Sequence, residues 1–356
     1  MIKNIAVLGG DGIGPEVMKE AIKVLEVIAL KTGVTFNYKN ALVGASAIDI
    51  ENNPFPESSK LICKSSDAIL FGAIGDPKYD NDPKAKIRPE DGLLEMRKFL
   101  GLYANIRPVQ TYSSLIDASP LKKEIVENVD FVVYRELTGG IYFGDKGISD
   151  DGNYAYDTCS YTREEIIRIS ELAFKEAYKR KKKLTLVDKA NVLSTSRLWR
   201  KVVQEMAKNK YSDVNVNYLF VDNAAMKIIT NPSDFDVILT ENMFGDIITD
   251  EASVITGSLG MLPSASIGDK ISLFEPIHGS YPQAAGKNIA NPMAMILSAG
   301  MMLNLAFDMN NESIIIQEAV NDAIYSNILT EDISSKNNFS TSYVGDWIAK
   351  RVSNLF

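Results

Sequence analysis

Short apolar runs alternate with longer amphipathic stretches along this chain. Ile5–Leu8 leads through a Gly-rich turn into a helix predicted from about Pro15 to Leu30, with Pro15 suited to a first helical turn. Val34–Tyr38 and Ala68–Phe71 read as strands, Gly92–Leu100 as a helix and Tyr103–Ile106 as the start of another strand. Phe131–Tyr134 is strand-like, and Gly139–Gly144 turns sharply after it. Thr162 and Glu165 form a capping box that predicts a long helix over Thr162–Lys179. Leu184–Val187, Val216–Val221 and Phe235–Leu239 read as strands, a helix opens around Phe244, and from Asn291 onward the pattern is mostly helical. Strands alternating with helices predict an α/β class.

Length and composition narrow the picture. At 356 residues two domains are expected, and 46% hydrophobic with 24% charged residues is globular composition. A formal net charge of -8 argues against a general nucleic-acid or anionic-membrane binder. It leaves an anionic small substrate open, because a local cluster of arginines overrides the mean. Cys63 and Cys159 have neither metal spacing nor a disulfide framework, which points to a reducing compartment. The apolar run Ile5–Leu8 is too short for a signal-peptide core, and no run approaches a membrane span, so a cytoplasmic location is expected. The single histidine, His278, excludes Ser-His-Asp hydrolases and multi-histidine metal sites. Acid–base work falls to Lys, Tyr, Asp or Glu, with His278 as the one imidazole that could join them.

Several segments carry candidate chemistry. Asp246 and Asp250 lie four apart and share a helix face, where like charges cost about a few tenths of a kcal/mol unless a cation compensates. Such a pair suits a hard divalent ion, and it equally suits a solvated face. Gly9-Gly10-Asp11-Gly12-Ile13-Gly14-Pro15 does not fit the dinucleotide spacing G-x-G-x-x-G and reads as a tight strand-to-helix turn. Arg97, Arg107 and Arg135 sit in or beside apolar segments, where an unpaired guanidinium is costly and a carboxylate is its natural partner. Three together suggest a di-acid substrate. Lys189 and Asp222 each follow a strand run, where α/β sites gather, although a solvated strand end explains either alone. His278-Gly279-Ser280 and Gly286–Pro292 frame a loop before a helix that suits an ordinary connection or a close-lying ligand. The polar stretch Gly144–Thr158 is a loop or a protruding arm, and the basic run 179–183 reads as a helix C-terminus complementing the backbone dipole.

Taken together, these segments resemble the β-decarboxylating dehydrogenases, the isocitrate/isopropylmalate dehydrogenase family. The resemblance runs from Gly10–Glu16 to Ile289-Ala290-Asn291-Pro292 and beyond, nearly the whole chain. Its most specific pieces are Gly92–Lys98, Ala104–Pro108, Arg135–Gly144, Val187–Leu193 and Phe244–Glu251. It implies a two-domain α/β fold that is not an ordinary Rossmann fold. The cofactor-binding first domain would be discontinuous, 1–102 plus 257–356, and the central substrate and dimerisation domain would be 103–256 with an arm near 144–158.

The resemblance also implies site roles. Arg97, Arg107 and Arg135 would hold the substrate carboxylates. Asp246 and Asp250 would hold Mg²⁺ or Mn²⁺, joined by Asp222 from the second subunit of a homodimer. Asp222 would also face substrate. Lys189, from that subunit, would help remove the hydroxyl proton, and Tyr142 would protonate the enol after CO₂ leaves. Leu93 and Leu94, with Val192 across the interface, would line an alkyl pocket. Ile13, Glu90, His278, Gly279, Ser280, Gln283, Ala290 and Asn291 would hold NAD. Isocitrate-type relatives carry a serine-containing segment where Gly92-Leu93-Leu94 stands. A Leu-Leu pair cannot hydrogen-bond a third carboxylate but packs a branched alkyl group, which implies an isopropylmalate-type substrate. One departure stands out. Gln283 replaces an aspartate common in NAD-using relatives, which removes a charge that repels the 2′-phosphate of NADP; NAD is still expected. Rival readings are a relative acting on D-malate, tartrate or a homoisocitrate-like acid, and a non-catalytic subunit of the same fold.

Overall fold

Helix Gly14–Thr32 shows how local sequence builds this molecule. Pro15 occupies its first turn, Val17, Ala21, Val24 and Ile28 form one buried face, and Gly33 closes it at φ 72, a left-handed cap that favours glycine. By contrast, helix Met293–Phe307 is apolar and buried almost all round, as befits a helix packed between layers. The computed structural model describes residues 1–80, 86–334 and 338–356.

The strands are β1 (Ile2–Gly10), β2 (Thr35–Asn40), β3 (Ala68–Ala73), β4 (Leu102–Gln110), β5 (Asp130–Glu136), β6 (Lys146–Ile148), β7 (Ala155–Asp157), β8 (Lys183–Asp188), β9 (Asn215–Phe220), β10 (Val237–Thr240), β11 (Pro263–Gly268) and β12 (Ser272–Pro276). The chain divides into two compact units, Met1–Leu102 with Gly257–Phe356, and Tyr103–Thr256. In the first unit the strand order is β2-β1-β3-β12-β11, parallel except for the β11–β12 hairpin. Its core includes Leu8, Phe55, Ile69, Phe71, Met96 and Leu273. In the second unit the order is β4-β5-β10-β8-β9, with only β4–β5 antiparallel. There Phe131, Val133, Ile238, Ile248 and Ile255 pack together. Fully buried β3 and β10 are the pattern of parallel strands covered on both faces.

The polar stretch after Gly144 forms a small antiparallel ribbon, β6 with β7, whose exposed Tyr154 and Tyr156 rings stack. The basic run is only partly a helix end. The helix stops at Lys179, and Arg180 turns inward to bind Asp236 and Asp130, each at 2.8 Å. Among the described residues no helix is long and apolar enough to cross a membrane.

Candidate active site

In the second unit, helix Asn242–Thr256 follows directly on β10 and presents Asp246, Thr249 and Asp250 on one face. Arg135, at the end of β5, lies against this helix at Gly245, where an added Cβ would come within 2.5 Å of the arginine Cγ. Arg135 is 2% exposed, and every guanidinium nitrogen has a partner. Nε donates to Asn242 O at 2.9 Å, Nη2 to Asn242 Oδ1 at 2.9 Å, and Nη1 to Asp246 Oδ1 at 2.5 Å. Tyr142 Oη donates to the other oxygen, Asp246 Oδ2, at 2.8 Å. Arg107, on β4, donates from Nε to Asn105 Oδ1 and from Nη1 to Thr249 Oγ1, both at 2.6 Å, and its Nη1 lies 3.5 Å from Asp250 Oδ1. The compensating cations for the aspartate pair are therefore two arginines.

Desolvation raises the Asp250 carboxyl pKa, with Arg107 opposing and the Asp246 charge adding. Its side chain is 69% exposed, so water screens these effects. Two partly open carboxylates on one helical turn are a hard oxygen donor set, which fits Mg²⁺ or Mn²⁺.

Tyr142 closes a short 3₁₀ turn, Gly140–Tyr142. Glu136 fixes this loop from below. It is fully buried and accepts from Thr138 N, Thr138 Oγ1 and Gly139 N. Burial pushes the Glu136 carboxyl up, and those donors oppose it. Gly140 has φ +77, and a Cβ there would meet Tyr161 Oη at 2.4 Å, so a side chain would move the turn that presents Tyr142.

Lys189 follows β8, and its Nζ donates to Asp222 Oδ1 at 2.7 Å. Asp222 opens helix Val221–Thr230, and Lys189 holds its carboxyl below the usual range. The neighbouring Asp188 is buried, accepts bidentately from Arg200 and also takes Ala190 N–H, which anchors the turn carrying Lys189. The structure does not bring Asp222 into a cluster with Asp246 and Asp250. Among the described residues no three His, Cys, Asp or Glu gather to hold an ion. Val192 is 62% exposed, on the turn after Lys189.

In the first unit, Arg97 on helix Pro89–Leu100 is 8% exposed, and its nearest carboxylate is Glu275 at 3.5 Å. Its Nε is buried without a hydrogen-bond partner. Leu93 and Leu94 lie on the same helix. Leu93 packs against the core cluster, and both are partly exposed.

A cavity of about 590 Å³ opens in this unit. Of the expected cofactor residues, Ile13, His278, Gly279, Ala290 and Asn291 line it. Leu259, Tyr281, Glu331 and Asp332 line it too, and they carried no signal in sequence. Ser280 is buried beside it, and its carbonyl accepts the Ile13 N–H at 2.8 Å. Gly12 allows that contact, since a Cβ on it would lie 2.0 Å from Ser280 O. The Gly-rich turn thus docks on the 278–291 loop. Burial lowers the His278 pKa, so the ring is neutral, and its Nε2 has no hydrogen-bond partner. Gln283 is exposed, and Glu90 Oε1 lies against Gly75. A largely apolar wall with backbone groups and a neutral imidazole fits a nucleoside.

Known proteins match this arrangement over almost the whole chain. A family model described as isocitrate/isopropylmalate dehydrogenase matches residues 4–348. A 3-isopropylmalate dehydrogenase of Bacteroides fragilis is 55% identical over 347 residues, covering 97% of this chain and 97% of its own. Among solved structures, isocitrate dehydrogenase from Methylococcus capsulatus is similar with a TM-score of 0.88 at 31% identity, covering 99% of each chain. A beta-decarboxylating dehydrogenase from Thermococcus kodakarensis, in apo form, gives a TM-score of 0.80 at 35% identity over 99% of this chain and 97% of its own. With the model match spanning nearly every element described above, this chain belongs to the isocitrate/isopropylmalate dehydrogenase family.

Proposed function

We propose that this chain catalyses the NAD-dependent oxidative decarboxylation of (2R,3S)-3-isopropylmalate to 4-methyl-2-oxopentanoate and CO₂, a step of leucine biosynthesis. The observation that carries this reading is the Asp246 carboxylate held between Arg135 and Tyr142, one helical turn from Asp250, in a chain 55% identical to a 3-isopropylmalate dehydrogenase.

Asp246 and Asp250 would hold a divalent ion, and such an ion would lower the pKa of the substrate 2-hydroxyl and stabilise negative charge on its oxygen. The cavity residues Ile13, His278, Gly279, Ala290 and Asn291 would hold NAD, which would supply the hydride acceptor for C2. Arg97, Arg107 and Arg135 bind substrate carboxylates. The amine of the partner subunit's Lys189 takes the hydroxyl proton. Asp222 positions that amine and serves as a further oxygen ligand once a second copy of the chain completes the site. As the C3–C4 bond breaks and CO₂ departs, its electron pair forms the enolate across C2 and C3. Tyr142 then gives its phenolic proton to C3, and the phenolate left behind lies near the Arg135 guanidinium, which is 6.0 Å from the ring centroid. Leu93, Leu94 and the partner subunit's Val192 pack the isopropyl group and exclude water from it.

The test is product identification. Purified protein with Mg²⁺, NAD and 3-isopropylmalate is expected to yield NADH and 4-methyl-2-oxopentanoate in equal amounts. NADH with no loss of CO₂, or no NADH at all, would reject the proposal.

A further inference from the structure

Gln283 brings no charge to its loop, whereas the cavity wall carries two carboxylates. Glu331 and Asp332 are the acidic side chains among its described lining residues, and that lining includes neither Lys nor Arg. Asp332 cannot swing away. Its Oδ1 accepts from Thr330 Oγ1 at 2.5 Å, and its Oδ2 from Ser258 Oγ at 2.5 Å and Asn291 Nδ2 at 3.1 Å. Glu331 stands beside it, exposed, and makes no salt bridge among the described residues. The remaining ring in the wall that could carry charge, His278, is neutral, with a buried Nε2 that lacks a partner.

We infer that Glu331, backed by the fixed carboxylate of Asp332, is the specificity-determining residue that admits a dinucleotide with a free ribose hydroxyl and rejects one bearing a 2′-phosphate. A ribose hydroxyl can donate to a carboxylate. A 2′-phosphate would bring roughly two further negative charges into a wall whose described lining has two carboxylates and neither Lys nor Arg. Gln283, exposed on the neighbouring 3₁₀ turn, keeps a hydrogen-bonding role and carries no charge.

This inference rests on the cavity being the NAD site, so the two are tested separately. NADH and NADPH are titrated by fluorescence against the full-length protein, the Glu331→Gln variant and the Glu331→Lys variant. The expectation is NADH binding to all three, with weak NADPH binding to the parent. The NADPH-to-NADH affinity ratio then rises about threefold to tenfold in Glu331→Gln and further in Glu331→Lys, with NADH affinity itself falling as the ribose acceptor is lost. An NADPH-to-NADH ratio unchanged in both variants overturns the assignment of Glu331. Failure of NADH to bind the folded parent protein instead overturns the cofactor reading itself.

Discussion

The phenol of Tyr142 donates to Oδ2 of Asp246 at 2.8 Å while Arg135 donates to Oδ1 of the same carboxylate. Metal binding at Asp246 must therefore compete with both donors, and proton delivery by Tyr142 requires that its bond to Asp246 be given up. Tyr142→Phe removes one competitor without removing a ligand. It is expected to bind Mn²⁺ at least as tightly as the parent while kcat for decarboxylation falls by about 10²–10⁴-fold. Asp246→Asn is expected to do the reverse, weakening Mn²⁺ binding at least tenfold with little change in thermal stability. Isothermal titration with Mn²⁺ beside steady-state kinetics separates the two. Unchanged metal dependence in Asp246→Asn would remove the pair from the mechanism.

Leu93 and Leu94 share a helix but not an environment. Leu93 packs on the first unit's core and Leu94 is not part of that cluster, so their polar replacements differ in cost. Leu94→Ser is expected to cut kcat/KM for 3-isopropylmalate by about tenfold to a hundredfold while leaving D-malate within about threefold. Leu93→Ser is expected to show the same shift together with a loss of about 1–3 kcal/mol in stability. Parallel kinetics and chemical denaturation check both, and equal losses on the two substrates would place neither leucine in the alkyl pocket.

Glu241, which follows β10, is 4% exposed, and its Oε2 has no hydrogen-bond partner. Burial, with the nearby Asp188 charge adding, pushes its carboxyl up from 4.5 to about 7. The folded state thus holds this proton more tightly than the unfolded chain does. The resulting stabilisation is fully present below pH 4.5 and is lost as pH rises through about 7. The shift corresponds to a loss of up to about 3 kcal/mol across that window. Glu241→Gln is expected to remove this part of the pH dependence, so the variant gains on the parent as pH rises from about 5 to about 8. Urea unfolding at both pH values measures it, and parallel stability profiles for the two proteins would show that Glu241 titrates normally.

Glu16 reaches from the first turn of its helix to the 286–288 loop, where its carboxylate accepts the Gly286 N–H and, at 3.2 Å, the Asn288 N–H. Asn288 sits at φ 57 and ties the loop to Ser342 through its side chain at 2.9 Å. Glu16→Ala frees the loop without touching the cavity wall. It is expected to raise KM for NAD by about threefold to tenfold, with kcat for saturating substrates within about twofold. A lowered kcat at unchanged KM would show that the loop does not serve the cofactor.

How much of this was readable in sequence depends on where the information lies. The amphipathic helices and apolar parallel strands were legible because periodicity and capping are local: Thr162 and Glu165 cap their helix reciprocally, as their spacing predicts. The β11–β12 hairpin was not. Pro263, Ser264, Ser266 and Gly268 give no strand pattern, yet their strand pairs with β12 and both serines are buried. The Asp246/Asp250 pair was visible as a charge problem, but its resolution by Arg135 and Arg107 links residues more than a hundred positions apart. Glu136, Asp188 and Asp11 were invisible as organisers, since a buried carboxylate that serves backbone N–H groups has no sequence pattern of its own. Asp11 accepts from Ala45, Ser46 and Gly75 at 2.9–3.0 Å, tying two separate segments to one side chain.

The most direct test of the central claim is the ratio of kcat/KM for 3-isopropylmalate to those for D-malate and isocitrate, measured with Mg²⁺ and NAD. The account predicts that 3-isopropylmalate is preferred over each by at least about a hundredfold, because a packed alkyl group and an unpaired third carboxylate both discriminate. A preference for D-malate or isocitrate would contradict it.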